Sequence, residues 1–249
     1  QMLVKEGIAE NWIYIPKYNL PIAKRGNQYF DVFSSNPNEV VIDCGAFDGQ
    51  TEIDILGWGG SNISKIYAFE LDPENAKKCI EFYASNNIAD KVVLINKGTY
   101  SESKAISINS KYLGQSYSQI SDPCDANVKA YVAKIDDEIN DRVTFIKMDI
   151  EGSELSALHG AEETIKRCKP KLAICVYHNP NDIWDIPKTI LDMNSYVNNL
   201  NLKNEQIQKI CELYPTPFHL YDVAHILEIE KRQSILILGW YISYIYSID

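Results

Sequence analysis

The sequence has little that would suit a nucleic acid or a membrane. Its 34 acidic and 24 basic residues give a formal net charge of −10, and no basic block occurs. Such a chain repels a phosphate backbone, so we expect no nucleic acid among its partners. The most apolar stretch, residues 234–248, contains Gly239 and is shorter than the ~20 apolar residues that a membrane-spanning helix needs. We therefore predict a terminal strand pair or hairpin there, and no membrane span.

The cysteine pattern excludes the common cysteine-based metal clusters. Six cysteines are present, and none forms a C-x-x-C pair. Most lie in apolar patterns, so we expect reduced core residues in a reducing compartment and predict a cytoplasmic location. Because no histidine or second cysteine stands at ligand spacing, the cysteines predict no metal site. The first residues, 1–3, show no signal-peptide pattern, but upstream targeting stays open because the sequence does not begin with methionine.

Length and periodicity predict one α/β domain. The chain has 249 residues, of which 45% are hydrophobic, enough for a single domain with a full core. Residues 1–38 contain three breaking prolines, and we interpret them as an N-terminal segment packed on a domain that covers 39–249.

Within that domain, short apolar runs alternate with amphipathic ones. We predict five strands and three helices, the strands at 39–44, 65–70, 91–95, 143–148 and 171–177, and the helices at 51–56, 73–85 and 154–168. This order is typical of a parallel sheet with right-handed crossovers and helices on both faces. The polar region 98–134 contains Ile106 and Ile108 in alternation, which favours a small hairpin.

A glycine loop follows the first predicted strand. Asp43 ends the strand, and Gly45 and Gly49 follow in a G-x-x-x-G spacing. Glycine permits a positive φ and a close approach of the backbone to a ligand, and the N-terminus of the next helix favours an anion. The loop therefore predicts a nucleotide-type cradle, but it lacks the G-x-G-x-x-G spacing of dinucleotide enzymes.

The second predicted strand ends in another acid. Glu70 lies about 20 residues after Gly49, the distance at which a carboxylate reaches the hydroxyls of a ribose. Asp72 directly precedes Pro73, so we interpret it as the N-cap of a helix and assign the ribose to Glu70.

Polar residues also follow the other strands. Asn96 and Gly98 follow the third, Asp149 and Glu151 the fourth, and His178 the fifth. Carboxyl ends of parallel strands share one edge of a sheet, which is where ligands bind. Two structural alternatives stay open: the acids can cap a helix beginning near residue 153, and His178 can bond the backbone of a turn.

Four successive motifs together resemble the FkbM-type methyltransferases, which are class I S-adenosylmethionine-dependent enzymes. The motifs are D-C-G-A-F-D-G-Q-T at 43–51, Y-A-F-E-L-D-P at 67–73, I-K-M-D-I-E-G-S-E at 146–154 and L-H-G-A at 158–161. The resemblance runs from about residue 27 to 180. It implies a Rossmann-like three-layer α/β sandwich with a mostly parallel seven-stranded sheet whose last strand is antiparallel. It also implies methyl transfer from S-adenosylmethionine to a hydroxyl of a sugar, glycan or other small molecule. The tail at 222–249 departs from the family pattern.

From the motifs and this resemblance we expect a set of cofactor contacts: Asp43, Gly45, Ala46, Phe47, Gly49, Thr51, Glu70, Leu71, Asn96, Gly98 and Asp149. A hydroxyl is a poor nucleophile, so a base is expected near it. Asp149 is the best-placed carboxylate, with Glu151 and His178 as further catalytic candidates. A divalent ion bridging Asp149 and Glu151 is compatible with these ligands but not required by them. We expect Glu154 to face solvent or to close the first turn of its helix, and Trp184 is a candidate for acceptor contact.

Two other classes of protein remain as alternatives. A nicotinamide-dependent oxidoreductase would also place an acid at Glu70, although the middle glycine of its usual loop is missing. A non-catalytic interaction module would retain the fold without the reaction. The acceptor and the oligomeric state stay open.

Overall fold

The computed structural model describes residues 29–30, 33–115, 128–179, 181–193 and 235–238. Predictions for residues 1–28, and for most of the tail at 222–249, lie outside the described residues. Within them, nine strands occur: β1 (Glu39–Cys44), β2 (Ile63–Phe69), β3 (Val92–Ile95), β4 (Gly98–Thr99), β5 (Lys104–Ile108), β6 (Val128–Ala133), β7 (Phe145–Met148), β8 (Lys171–Cys175) and β9 (Ile235–Leu238). The α-helices are α1 (Gln50–Gly59), α2 (Pro73–Ser85), α3 (Ile135–Glu138), α4 (Glu154–His159), α5 (Glu162–Cys168) and α6 (Asp182–Met193).

The main sheet has the strand order β3-β2-β1-β7-β8-β9, and every neighbouring pair in it is parallel. The strand order reverses between β1 and β7, so the carboxyl ends of these two strands form the switch point at which such sheets bind ligands. In the register of this pair, Asp43 lies opposite Lys147.

Helices cover both faces of the main sheet, as predicted. On one face, Ile42 and Ile146 pack with Leu158 of α4 and Ile186 of α6. On the other face, side chains of α1 and α2 pack on the sheet together with Phe30 and Phe33. The ring of Phe30 stacks on that of Trp58 with 5.3 Å between their centroids. Both faces of the central strands are thus buried, which explains why their sequences are nearly all apolar.

The last described strand differs from what the family resemblance implies. Six strands make up the main sheet in the described part of the chain, and β9 pairs parallel to β8 rather than antiparallel. A strand was expected in this apolar stretch, and the residues that would complete a hairpin lie outside the described ranges.

The helix predicted over 154–168 is two helices, because the chain turns at Gly160. A Cβ at this position would lie 1.9 Å from the Tyr100 carbonyl oxygen, so the backbone passes too close for any other residue. The carboxylate of Asp136 accepts hydrogen bonds from the N–H groups of Glu163 and Thr164 and so caps the second helix. Because Asp136 lies 27 residues before Glu163 in the sequence, no local sequence pattern indicates where this second helix begins.

A second sheet of three strands, β4-β6-β5, stands beside the main sheet. Its β5 and β6 are antiparallel, and Ile106 of β5 pairs with Ala130. The small antiparallel unit predicted around Ile106 and Ile108 is therefore present. Among the described helices, none is both long and apolar enough to cross a membrane.

Candidate active site

A cleft of about 610 Å³, open to solvent, lies at the carboxyl ends of β1, β2 and β7, where the strand order reverses. The cleft is lined by seven predicted site residues: Gly45, Phe47, Glu70, Leu71, Gly98, Asp149 and Glu151. Its lining also includes residues that were not among the predicted site residues: Phe69, Asn75, Thr99, Gln115, Val132, Ile150 and Ser153.

Glu70 lies in the lining of this cleft, where two backbone N–H groups orient its carboxylate. Its Oε2 accepts a hydrogen bond from the Phe47 N–H at 2.8 Å, and its Oε1 accepts one from the Asp72 N–H, also at 2.8 Å. Burial raises the pKa of this carboxyl. The two N–H groups act to lower the pKa, but burial has the larger effect. Each carboxylate oxygen has a second acceptor site, so Glu70 can still receive two hydroxyls of a ribose.

Asp72 is the helix cap that its position before Pro73 indicates. Its Oδ1 accepts hydrogen bonds from the N–H groups of Glu74 and Asn75 at the start of α2. Its Oδ2 accepts a further hydrogen bond, from the Gly114 N–H at 2.7 Å. The cap thus also holds the loop that carries Gln115, part of the cleft wall.

The two glycines of the first loop have different surroundings. Gly45, at φ +91°, lines the cleft, and a Cβ there would lie 2.2 Å from the Asp149 carbonyl oxygen. Gly49, at φ +88°, lies outside the lining, and a Cβ there would lie 2.8 Å from the Phe82 ring and 2.9 Å from the Tyr83 ring. Both glycines are therefore required by packing within the protein: Gly45 lets the loop pass close to the backbone of Asp149, and Gly49 lets it pack on α2.

Asp43 lies beneath the cleft rather than in its lining. Its fully buried carboxylate forms an ion pair with Lys147, with 2.8 Å between Oδ1 and Nζ. The Nζ also donates to the carbonyl oxygen of Gly45 at 3.0 Å. Glu52 of α1 is buried beside Asp43, and its pKa is raised well above the ordinary value, first by burial and then by the charge of Asp43.

Asp149 is fixed by two tyrosines that sequence reasoning missed. Its Oδ2 accepts a hydrogen bond from the Tyr29 hydroxyl and its Oδ1 one from the Tyr177 hydroxyl, each at 2.7 Å. Burial acts to raise the pKa of Asp149, but the charge of Lys147 and these two hydroxyls outweigh it and lower the pKa. Asp149 is thus an ionised, oriented carboxylate at the cleft, and its side chain is held by these tyrosines.

His178 does not line the cleft but lies against the residues that do. Its Nε2 is 3.5 Å from Oδ1 of Asp149 and 3.6 Å from Oε2 of Glu151. Burial acts to lower its pKa, but contact with Glu154 and the charges of the three surrounding carboxylates raise it. The structure therefore brings together the three catalytic candidates of the sequence.

Of the two alternatives for Glu154, exposure to solvent is wrong, and its contacts are instead at the first turn of α4. Its side chain is fully buried and lies 2.8 Å from Nδ1 of His178. Its oxygens accept hydrogen bonds from the N–H groups of Ile150 and Gly152, in the loop that precedes α4. Charged groups are buried only where such partners exist, and sequence alone did not indicate the histidine.

The remaining predicted positions lie around the cleft rather than in its lining. Ala46 is buried and donates its N–H to the Phe69 carbonyl oxygen at 3.1 Å. Thr51 lies in the first turn of α1. Asn96 donates to the Glu70 carbonyl oxygen at 2.8 Å, so it supports the strand end that carries Glu70. Trp184 is exposed on α6, away from the cleft lining.

Comparisons with known proteins agree with this fold. The family described as Methyltransferase FkbM domain matches residues 43–207. The crystal structure of methyltransferase FkbM from Methylobacillus flagellatus KT is 31% identical, with a TM-score of 0.56 over 68% of this chain. Only 41% of that protein's length is covered. Among curated proteins, none matches significantly.

Two further solved structures are more distant. The SMU.1697c protein from Streptococcus mutans, solved in complex with SAH, is 16% identical, with a TM-score of 0.40 over 74% of this chain and 85% of its own. A SAM-dependent methyltransferase from Aquifex aeolicus is 14% identical, with a TM-score of 0.40 over 73% of this chain and 86% of its own.

The architecture is a Rossmann-like α/β sandwich, the fold of class I methyltransferases, as the sequence predicted. Within that class, the chain belongs to the FkbM methyltransferase domain family.

Proposed function

We propose that this protein is an S-adenosylmethionine-dependent methyltransferase that methylates a hydroxyl of a sugar, glycan or other small molecule. The observation that carries the proposal is one cleft lined by two unlike groups of acids. Glu70, an oriented double acceptor, follows β2, and Asp149 with Glu151 follows β7, on the other side of β1. The first suits the ribose of the donor, and the second suits the proton of an acceptor hydroxyl.

The proposed donor site extends along the carboxyl ends of three strands. Gly45, Leu71 and Gly98 line the cleft together with Glu70, and in this proposal they contact the donor. Four predicted cofactor residues outside the lining, Asp43, Ala46, Gly49 and Asn96, support the loops and strand ends around the cleft.

The proposed reaction is an in-line displacement, in which the acceptor oxygen attacks the methyl carbon and the sulfonium leaves as a thioether. The protein must hold the two reacting atoms ~3 Å apart and in line, which supplies much of the rate. The candidates for the base that receives the hydroxyl proton are Asp149, Glu151 and His178. Asp149 already accepts hydrogen bonds from two phenol hydroxyls, which orient its carboxylate, and its remaining lone pairs can accept the hydroxyl proton.

We also propose a cytoplasmic location, since Cys44, Cys79, Cys168 and Cys175 are all free thiols. The protein has a net charge of −10, which repels polyanions. We therefore expect an acceptor that is neutral or cationic, and not a nucleic acid.

The proposal is tested by calorimetry with S-adenosylmethionine and, separately, with NAD. Saturable binding of S-adenosylmethionine supports it, and preferential binding of NAD favours an oxidoreductase instead. Screening hydroxylated sugars and glycolipid fragments for incorporation of a tritiated methyl group then identifies the acceptor. Cofactor binding without transfer to any tested acceptor would favour the non-catalytic module.

A further inference from the structure

Tyr29 supplies one of the two hydroxyl groups that hold Asp149, although it precedes the residues 43–207 that the family model matches. Its hydroxyl donates to Oδ2 of Asp149 at 2.7 Å, and the Tyr177 hydroxyl donates to Oδ1, also at 2.7 Å. Such distances are typical of hydrogen bonds to a charged oxygen. Asp149 lines the cleft, whereas the two tyrosines lie behind it. Any effect of the two hydroxyls on a bound acceptor therefore passes through Asp149.

The position of Tyr29 is fixed by its neighbours. The next residue, Phe30, is buried in the core, and its ring stacks on that of Trp58 with 5.3 Å between the centroids. The ring centroid of Tyr29 itself lies 5.2 Å from Nζ of Lys147, a distance at which an aromatic face attracts a cation. The hydroxyl of Tyr29 therefore has little freedom to move away from Asp149.

Tyr29 contacts both a cation and an anion of one strand end. Lys147 and Asp149 are two residues apart at the end of β7, and alternate side chains of an extended chain lie on the same face. Lys147 is paired with Asp43, but its charge also acts on the pKa of Asp149. Opposite charges attract strongly in a buried environment, so a carboxylate that could rotate would turn toward this ammonium group. The Tyr29 hydroxyl holds Oδ2 against that rotation.

Phenol hydroxyls suit this task because they orient a carboxylate without neutralising its charge. Burial and the charge of Asp149 raise the pKa of Tyr29 and of Tyr177, so each hydroxyl keeps its proton and stays a donor. We propose that Tyr29 is a positioning residue, whose hydroxyl holds the Asp149 carboxylate in the orientation that receives the proton of the acceptor. The contact itself is observed, and only its catalytic consequence rests on the proposed function.

Asp149 lies among several other charged or titratable groups. The charges of Lys147 and His178 favour its ionised form, while burial opposes ionisation. The groups of the described residues that face it are Lys147, Tyr29, Tyr177, His178, Asp43, Glu151, Glu154 and Cys175. Substitution of tyrosine by phenylalanine removes one hydroxyl and leaves all the other groups in place. Such a variant therefore isolates the contribution of a single hydrogen bond.

The test compares Tyr29→Phe and Tyr177→Phe with Tyr67→Phe, all in the full chain. Tyr67 is the matched control, because its hydroxyl also donates to an aspartate, Asp141, at 2.7 Å, outside the cleft lining. NMR of protein with ¹³C-labelled aspartate, without any ligand, follows the pH titration of the Asp149 carboxyl, and Asp149→Asn identifies its signal. Loss of a hydrogen bond to the ionised form should raise the titration midpoint by about 1–2 pH units in the first two variants. Tyr67→Phe should leave that midpoint unchanged.

Methyl transfer to a hydroxyl acceptor found in the screen is the second measurement. Tyr29→Phe should lower kcat by ~10–100-fold, the effect of a small misplacement of a catalytic group, and keep S-adenosylmethionine affinity within a few-fold. Tyr67→Phe should preserve both. An unchanged titration midpoint of Asp149 in a folded Tyr29→Phe variant, or an unchanged kcat, would overturn the inference. If the unmodified protein does not bind S-adenosylmethionine, the proposed function and the catalytic consequence are refuted, whereas the titration still decides whether Tyr29 holds Asp149.

Discussion

Lys147 and Asp43 form an ion pair in the middle of the main sheet, with 2.8 Å between Nζ and Oδ1 and almost no exposure of either side chain. They lie at the same register of β7 and β1. The same ammonium group donates to the Gly45 carbonyl oxygen, which belongs to the cleft. The pair therefore connects the interior of the sheet to the loop that forms the proposed donor site.

The first prediction is that Lys147→Met destabilises the protein strongly. Removing one member of a buried ion pair leaves the other charge without compensation, at a cost of about 3–5 kcal/mol. Here Asp43 would face Glu52 with no cation. Urea unfolding followed by circular dichroism measures the change.

The control for that experiment is the double variant Asp43→Asn with Lys147→Met. It removes both charges and should recover a large part of the lost stability. A single Lys147→Met variant as stable as the unmodified protein would show that the pair makes no net contribution.

A second prediction concerns Glu70. Glu70→Ala should weaken S-adenosylmethionine binding at least tenfold, because it removes hydrogen bonds to a charged acceptor worth ~1.5–3 kcal/mol each. Calorimetry measures the affinity. Glu74→Ala, an exposed acid on the adjoining helix, is the control and should bind normally. Equal affinities for the two variants would remove Glu70 from the site.

The third prediction concerns Asp149. Asp149→Asn should keep S-adenosylmethionine affinity within a few-fold but reduce turnover on a confirmed acceptor by ~10²–10⁴, the usual contribution of a group that receives a proton. Single-turnover methyl transfer measures the chemical step. The exposed Asp90→Asn serves as a control. Loss of donor binding would instead assign Asp149 to the donor site.

The fourth prediction separates two glycines. Gly49→Ala should lower the free energy of unfolding by about 1–3 kcal/mol, because its Cβ would press on Phe82 and Tyr83 at a strained φ. Gly57→Ala lies within α1 with no atom in reach of its Cβ, and it should leave the protein unchanged or stabilise it by up to ~1 kcal/mol. Comparable stabilities for both variants would contradict the packing of the loop on α2.

Sequence reasoning predicted the parts of the site that depend on strand ends. Carboxyl ends of parallel strands meet at one edge, so Asp149, Glu151 and His178 were expected together. In the structure, Nε2 of His178 lies 3.5 Å from Asp149 and 3.6 Å from Glu151. Strand β1 and helix α2 also have the predicted limits, because an apolar run and a capping residue followed by proline are local signals.

The features of the site that sequence reasoning missed are side-chain contacts between residues far apart in the sequence. Tyr29 reaches Asp149 across 120 residues, and no local pattern indicates that contact. Glu154 looked like an ordinary first-turn acid until the fold placed His178 beside it. Lys147 did carry a signal, since a lysine inside a strand that is apolar on both faces requires a buried partner, and Asp43 occupies the neighbouring strand.

The cleft has walls from both sheets: Glu70 follows the main sheet, while Thr99 and Val132 belong to the smaller one. A small molecule bound between them would draw its binding free energy from both, so opening of the smaller sheet would require releasing the ligand. Amide hydrogens of β6 should then exchange with solvent more slowly when the cleft is filled. The two sheets would unfold cooperatively in the complex, even though no strand is shared between them.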